Sequence, residues 1–353
     1  MFRLKSPKPE VTNLLKIKNL NLIIGFLLII FLALSLNRKF FSSVEIIPDK
    51  DKILIHFSLS KQDQKNLEVL LNKAQINWPV SDLAIKVDDT TLETLNNIGK
   101  ISFRVYFSLN EIKFNTKLNL EDTSKSNSWQ FKELAAVDSL IYLQFPKKFL
   151  PNFPGKEAYN YVKYTTAAII VPSDGLKIAL FGQINDNSSL KKTIEDFRNL
   201  PKKGIVQERY EGAASGYSEG LVGNIKTYTL TTPDSKITPT FAVVKDNLIT
   251  TFDTDLLKEI ITDSKNSNST LDHLETFKET VEILPANSSA SLFINTKKIK
   301  NYDLTRFLSE TKPYLDIELN KDITKFLNIF LERVENFSFV INSNKSEGFI
   351  KLQ

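Results

Sequence analysis

The sequence has no cysteine and only two histidines among its 353 residues. The absence of cysteine excludes disulfide bonds, thiolate metal sites and cysteine nucleophiles. His56 and His273 do not have a spacing that zinc sites use, and no Asp-x-Asp-x-Asp-Gly calcium loop occurs. We therefore predict no metal site.

Glycine-rich phosphate loops are also missing, since neither a Walker-type loop nor a G-x-G-x-x-G motif occurs. Both motifs bind phosphate through closely spaced backbone N–H groups. Nucleotide binding is therefore not supported. We predict no cofactor and no catalytic residue.

The charge of the chain is concentrated at one end. The net charge is +5, but residues 1–39 contain seven of the 46 basic residues and one of the 41 acidic ones, which leaves 39 basic and 40 acidic residues beyond them. The basic excess therefore suits anionic lipid near a membrane better than a phosphate-binding stripe. We expect no nucleic-acid partner.

Long apolar runs are limited to residues 20–36, which carry no charge. At about 1.5 Å per residue, such a helix would span roughly 25 Å of hydrocarbon. Five basic residues precede the run against a single acid, Glu10, which favours a cytoplasmic N-terminus and an exported body. A cleaved signal peptide with a small-x-small site at 33–35 is the alternative. The predicted transmembrane helix includes Leu20, Asn21, Leu22, Gly25, Phe31 and Leu36.

The rest of the chain has the composition of a folded protein, with 42% hydrophobic and 25% charged residues. We predict an α+β fold: antiparallel β-sheets with helices packed on one face, preceded by one N-terminal transmembrane helix. The predicted divisions are a cytoplasmic basic tail (1–19), the transmembrane helix (20–36), a linker (37–43), a membrane-proximal α+β region (44–130) and an extracytoplasmic α+β domain (131–353).

Local patterns place several elements. Period-two alternation predicts a strand at 53–59 and a hairpin of 101–107 with 112–120. Apolar residues at helical spacing predict helices at 255–263, at 271–284 with Ser269 or Thr270 as N-cap, and at 320–334. Asp186 is predicted to cap a further helix.

A weak internal repeat is predicted between residues 134–180 and 284–352. Each copy has a strand, near 140–145 and 290–295, and later two apolar strands around a turn. The turns are predicted at Ser173-Asp174-Gly175 and at Ser346-Glu347-Gly348.

The segment 216–220, Gly-Tyr-Ser-Glu-Gly, matches the G-x-S-x-G pattern of a nucleophile elbow. That motif requires a buried strand before Ser218 and a helix after it, and neither flank has that pattern. The remaining candidate base, His273 beside Asp272, falls on the polar side of its predicted helix. We interpret the segment as a solvated glycine-rich loop.

Aromatic and basic residues alternate near position 160. Tyrosine offers an apolar face and a hydroxyl together, so the cluster suits a ligand such as a glycan, a peptidoglycan peptide or a lipid headgroup. The alternative is that these tyrosines cover a sheet edge. The predicted surface patch consists of Tyr159, Tyr161, Lys163 and Tyr164.

Apolar spacing over 131–353 resembles that of an uncharacterised bacterial membrane-anchored family, the domain of unknown function 3352. The likeness lies in residues 135–143, in 208–212 and most strongly in 241–261, followed by Leu271, Phe277 and Leu284-Pro285-Ala286. The resemblance implies a body tethered by one N-terminal transmembrane helix. It implies no chemistry, since that family has no established activity.

These observations favour a single-pass membrane-anchored protein of the bacterial cell envelope with an extracytoplasmic body. The leading hypothesis is a non-enzymatic binding or scaffolding module, with membrane lipid around its helix and an envelope protein or wall component as partner. A carrier of a lipid or other apolar ligand is the alternative, and a serine hydrolase using Ser218 is a remote one.

Overall fold

The structure, a computed structural model, describes thirteen segments of the chain, and the predicted transmembrane residues 20–36 lie outside them. Most of the helix predicted at 320–334, residues 320–331, also lies outside them. Within the described segments, no helix is long and apolar enough to cross a membrane. The segments are 42–49, 52–58, 61, 82–86, 101–107, 111–116, 126–150, 156–199, 216–231, 239–302, 332, 334–342 and 346–352.

Antiparallel strands dominate the fold. Fifteen of them form one sheet in the order β10-β11-β12-β13-β9-β8-β7-β15-β16-β17-β5-β4-β1-β2-β3, and β6 pairs with β14 separately. The prediction of antiparallel sheet is therefore confirmed. The strands are β1 Ser42–Asp49, β2 Lys52–Ser58, β3 Asp82–Lys86, β4 Ile101–Phe107, β5 Glu111–Thr116, β6 Ser126–Asn127, β7 Ile141–Pro146, β8 Val162–Pro172, β9 Leu176–Ile184, β10 Gly216–Val222, β11 Ile225–Thr231, β12 Thr240–Val244, β13 Asn247–Thr251, β14 Asn287–Ser288, β15 Ala290–Ile294, β16 Val334–Ile341 and β17 Ser346–Leu352.

Helices are few and short in the described segments. The α-helices are α1 Asn187–Asn199, α2 Thr254–Asp263, α3 Glu275–Ile283 and α4 Thr296–Asn301, and the 3-10 helices are η1 Lys147–Phe149, η2 Lys156–Tyr161, η3 Ser267–Ser269 and η4 Leu271–His273. The predicted cap of α1 at Asp186 is confirmed, α2 has a similar cap at Asp253 that was not predicted, and the predicted cap at Ser269 or Thr270 is wrong, because Thr270 makes no side-chain cap hydrogen bond and α3 begins after Leu274. The Asp186 and Asp253 carboxylates accept backbone N–H groups of Ser189 at 2.7 Å and Leu256 at 2.8 Å.

The centre of the sheet is the antiparallel pair of β7 and β15, in which Tyr142 lies opposite Phe293. Outward from this pair, β8 and β9 follow in chain order on one side, and β16 and β17 on the other. The β12–β13 hairpin is added next to β9, and the β4–β5 hairpin next to β17. The predicted regions 44–130 and 131–353 therefore share one hydrogen-bonded sheet. The sequence repeat stays a prediction.

One face of the sheet, which we call the helix face, packs against α2 and α3. Its buried cluster includes Phe181 of β9, Ile249 of β13 and Phe293 of β15, together with Leu256 of α2 and Phe277 of α3. The stripe predicted for 255–263 is buried as expected. Trp129, in the segment before β7, also belongs to this cluster, and its ring centroid lies 5.3 Å from that of Phe277.

The opposite face is not free of helices, so the prediction of helices on one face is wrong for α1. Arg198 of α1 forms a hydrogen bond with Glu219 of β10. Glu219 lies opposite Tyr228 of β11, and Tyr228 lies opposite Phe241 of β12, so these three side chains are on the same face of the sheet. Phe241 precedes Ala242 of the helix-face cluster, and successive strand side chains point to opposite faces. The helix α1 therefore lies on the opposite face.

Three boundaries differ from the sequence prediction. Ser346, Glu347 and Gly348 begin β17 rather than form a turn, because the β16–β17 connection ends before Ser346. Val334 begins β16 rather than ending a helix. The helix predicted at 271–284 is split at Leu274, whose extended backbone (φ −68°, ψ 120°) separates η4 from α3.

A buried glutamine fixes the chain segment that enters β7. The Gln144 carbonyl oxygen accepts the Gln130 N–H and the Tyr142 hydroxyl, each at 2.9 Å. Its amide group donates to the Asn127 carbonyl and to the Ser126 hydroxyl. All four hydrogen-bonding positions of this fully buried side chain are thus satisfied, and residues 126–130 are held against the sheet.

A glycine allows an aromatic ring to lie across β17. Gly348 is opposite Phe114 of β5, and a Cβ at position 348 would overlap that ring. The Phe114 ring also stacks on Phe339 and Phe337, with centroids 5.6 and 5.9 Å away. Among the described strands, β17 is the one that joins β5, and through it β4, to the centre of the sheet. The ring cluster therefore strengthens the junction between β17 and β5.

We predict that Gly348→Ala lowers the free energy of unfolding by about 1–3 kcal/mol, since a methyl group added to a packed core displaces its neighbour. Urea unfolding of the full chain in mild detergent measures the loss. In a matched cycle, Phe114→Leu combined with Gly348→Ala should cost less than the sum of the two single substitutions. Strictly additive losses would contradict the overlap.

Candidate functional site

The G-x-S-x-G segment forms the sheet strand β10 and not a loop, so that interpretation is wrong. Ser218 lies opposite Thr229 in the middle of an unbroken seven-pair ladder with β11. A two-residue turn, Gly223-Asn224, follows, with Gly223 at φ +61°, where only glycine is unstrained. A Gly-Asn pair between apolar residues is a known hairpin signal, and it could have identified this hairpin from the sequence.

No nucleophile elbow is present at Ser218, because β10 leads into a hairpin rather than a helix. The exposed His273 lies in η4, where its Nδ1 is 3.1 Å from Asp272. Neither residue bonds to Ser218 in the contacts of the described segments. His56 is exposed on β2. In the parts of the chain that the structure describes, no three His, Asp or Glu residues are grouped so as to hold a metal ion.

The predicted aromatic patch is divided between interior and surface. Tyr159 is only 1% exposed and packs over Gly182, so its assignment to a surface patch is wrong, and burial raises the pKa of its hydroxyl. Tyr161 and Tyr164 are half-buried and Lys163 is exposed. The Lys192 ammonium of α1 lies 6.0 Å from the Tyr161 ring. This contact helps to dock α1.

The strand β10 lies at one end of the sheet formed by the described strands. β10 pairs with β11 on one side, and no described strand lies on its other side. The Leu230 N–H donates to Pro239 at 2.9 Å, so Leu230 faces β12 and the residue opposite it, Tyr217, directs its backbone groups away from β11. Glu219 and Leu221 follow the same alternation. Their N–H and C=O groups point outward from the sheet.

The side chains of this edge are partly apolar, and few features of β10 would prevent another strand from pairing with it. Leu221 is 68% exposed, the largest exposed fraction of any apolar side chain in the described segments. Ser218 and Gly220 beside it are exposed too. Natural edges are usually blocked by Lys, Pro or a bulge, and β10 has none of these. The other end of the sheet, β3, carries Lys86.

An ionic cluster holds the edge in place from the opposite face. The Arg198 Nε donates to Glu219 Oε1 at 3.1 Å and to the Tyr217 hydroxyl at 3.2 Å, and the Arg198 Nη2 also donates to Glu219 Oε1. The Tyr217 hydroxyl donates to the same oxygen at 2.9 Å. The Tyr217 ring stacks near Tyr228, which stacks on Phe241 at 4.8 Å. The strand is therefore tied to α1 and to the sheet interior.

Proton affinities in the cluster follow from these contacts. The hydrogen bonds from Arg198 and then from Tyr217 lower the pKa of the Glu219 carboxyl below its usual range. Desolvation, together with the neighbouring carboxylate, raises the pKa of the Tyr217 hydroxyl to about 12. At neutral pH the arrangement is therefore a carboxylate held between a guanidinium and a neutral phenol, which is suited to positioning a strand.

Comparison with known proteins does not assign the chain to a family. No family model and no curated protein matches the chain. Among solved structures, the β subunit from DNA polymerase of Streptococcus pyogenes aligns over 94% of this chain and 98% of that chain, with 8% identity and a TM-score of 0.11. A score this low does not indicate a shared fold. The resemblance to domain of unknown function 3352 stays a prediction.

We predict that Arg198→Gln raises the pKa of the Glu219 carboxyl toward its ordinary value, because the guanidinium is its main stabilising partner. Since the folded-state pKa lies below the unfolded one, this carboxylate stabilises the hairpin above the unfolded pKa, and that contribution is lost as the pH falls through the folded pKa. The variant should lose this acid sensitivity. Carboxyl 13C chemical shifts against pH measure the first effect, and urea unfolding at several pH values measures the second.

Lys258→Gln is the matched control, since Lys258 pairs with the exposed Asp255 and does not contact Glu219. It should leave the Glu219 titration unchanged. An unchanged Glu219 titration in Arg198→Gln would contradict the assigned contacts.

Proposed function

We propose that the protein is a non-enzymatic binding or scaffolding module of a bacterial cell envelope. One transmembrane helix at 20–36 anchors it, its N-terminus is cytoplasmic, and its body is extracytoplasmic. The partner is another envelope protein or a wall component, and membrane lipid surrounds the helix. The apolar run and the basic residues before it support this topology.

The open edge of β10 is the observation that carries the binding role. Outward backbone groups at Glu219 and Leu221 offer hydrogen bonds to an added strand, and the exposed Leu221 offers apolar contact. Addition of a strand to a sheet edge is a general mode of peptide recognition. The contacts of Arg198 with Glu219 and Tyr217 keep this edge ordered without a partner, which lowers the entropic cost of binding.

A proline substitution separates edge binding from hairpin folding. The Leu221 N–H points away from β11, so Leu221→Pro removes a donor that only an added strand would use. The Gly220 N–H points toward β11 opposite Thr227, so Gly220→Pro breaks the hairpin itself. Comparing the two variants distinguishes loss of the edge from loss of fold.

We expect a membrane-impermeant crosslinker, added to intact cells, to capture the full chain with another envelope component that mass spectrometry identifies. Enrichment should fall by about tenfold in Leu221→Pro, the loss of roughly one well-placed hydrogen bond and its apolar contact. The control is a chain carrying only residues 1–43. No enrichment over this control would contradict the binding role, and capture only after lysis would contradict the topology. Enrichment of lipid alone would favour the carrier alternative.

A further inference from the structure

Twelve of the described strands form two sets with the same order along the chain. The first set is β4 to β9, residues 101–184, and the second is β12 to β17, residues 240–352. In each set the first two strands form a hairpin, the third has two residues, and the last three form an antiparallel meander. A helical turn follows the fourth strand in both sets, η1 after β7 and α4 after β15.

The contacts between the two sets are symmetric as well. The third strands β6 and β14 pair with each other, with Asn127 opposite Asn287. The fourth strands β7 and β15 also pair, with Tyr142 opposite Phe293. The second strand of each set pairs with the last strand of the other, β5 with β17 and β13 with β9. Exchanging the two sets leaves every one of these pairs unchanged, as a two-fold axis perpendicular to the sheet requires.

We propose that residues 101–184 and 240–352 are two copies of one structural unit, and that the copies have exchanged their hairpins. Each hairpin precedes the meander of its own copy along the chain but lies beside the meander of the other copy. It covers β9 or β17, which would otherwise be an open sheet edge. Each copy therefore completes the sheet of the other. The predicted sequence repeat, 134–180 and 284–352, falls within the two copies.

The helix face agrees with this symmetry, because a two-fold axis perpendicular to a sheet keeps each element on its own face. The segments that precede β7 and β15 meet on that face. Trp129 comes from the first segment and Phe277 of α3 from the second, and both belong to the buried cluster. The Ser128 N–H donates to the Ala286 carbonyl at 2.8 Å. The copies differ in the connection before the third strand, which is longer in the second copy and contains α2 and α3.

The exchange makes each hairpin depend on the copy to which it does not belong. Two glycines provide matched sites for testing this, Gly348 of β17 opposite Phe114 and Gly182 of β9 opposite Leu248. A Cβ at position 348 would overlap the Phe114 ring, and one at position 182 would lie 3.0 Å from Val162. A methyl group at either site therefore displaces the last strand of one meander and should loosen the hairpin of the other copy.

Peptide-resolved hydrogen exchange of the full chain measures this dependence. In Gly348→Ala, amides of 111–116 should exchange at least about tenfold faster, whereas those of 247–251 keep their rate. In Gly182→Ala, the amides of 247–251 should be faster and those of 111–116 unchanged. Each glycine variant is thus the control for the other.

Faster exchange of 247–251 in Gly348→Ala, equal acceleration of both hairpins in both variants, or no change in either hairpin would overturn the proposal. If a glycine variant does not fold, Phe114→Leu and Leu248→Val test the same two junctions from the hairpin side. Phe114→Leu should speed exchange in β17, and Leu248→Val should speed exchange in β9. Faster exchange in the last meander strand of the same copy instead would contradict the exchange of hairpins.

Discussion

The pairing of β7 with β15 is the interaction on which the rest of the structure depends. Every residue of β7 and most of β15 are buried, so this pair is covered on both faces. It joins two three-stranded groups, β7–β9 and β15–β17, that are far apart in sequence. The saturated hydrogen bonds of Gln144 fix the approach to β7. An unsatisfied amide there would be costly, because it could not reach water.

From this centre the sheet extends in both directions by addition of hairpins, and its ends determine what the surface offers. On one side the β4–β5 hairpin is fastened by Phe114 lying across Gly348. On the other side the β10–β11 hairpin is fastened by Arg198. The first junction is apolar and buried, whereas the second is ionic and lies at the surface. The second therefore holds an edge in place while leaving its outer backbone groups accessible.

Local sequence patterns predicted the elements whose signals are contained within a few residues. The helix α2, predicted at 255–263, has its apolar stripe buried, and α1 has its predicted cap at Asp186. Predictions failed where distant residues decide the outcome. Tyr159 is buried because Gly182 leaves space beneath it, and Ser346 is extended because β5 pairs with it. The β10–β11 hairpin differs from the loop predicted there, although its Gly223-Asn224 turn is a local signal, since a Gly-Asn pair between apolar residues favours a two-residue turn.

Among the described strands, β10 is the last of its end of the sheet, and hydrogen exchange tests most directly whether its outer edge is accessible. Residue-resolved exchange of the dilute monomeric chain compares the amides of Glu219 and Leu221 with those of Ser218 and Gly220. The account predicts exchange at least about 100-fold faster at the first two positions, because only the second two donate to β11. Equal protection at all four positions would show that the edge is covered and would contradict the account.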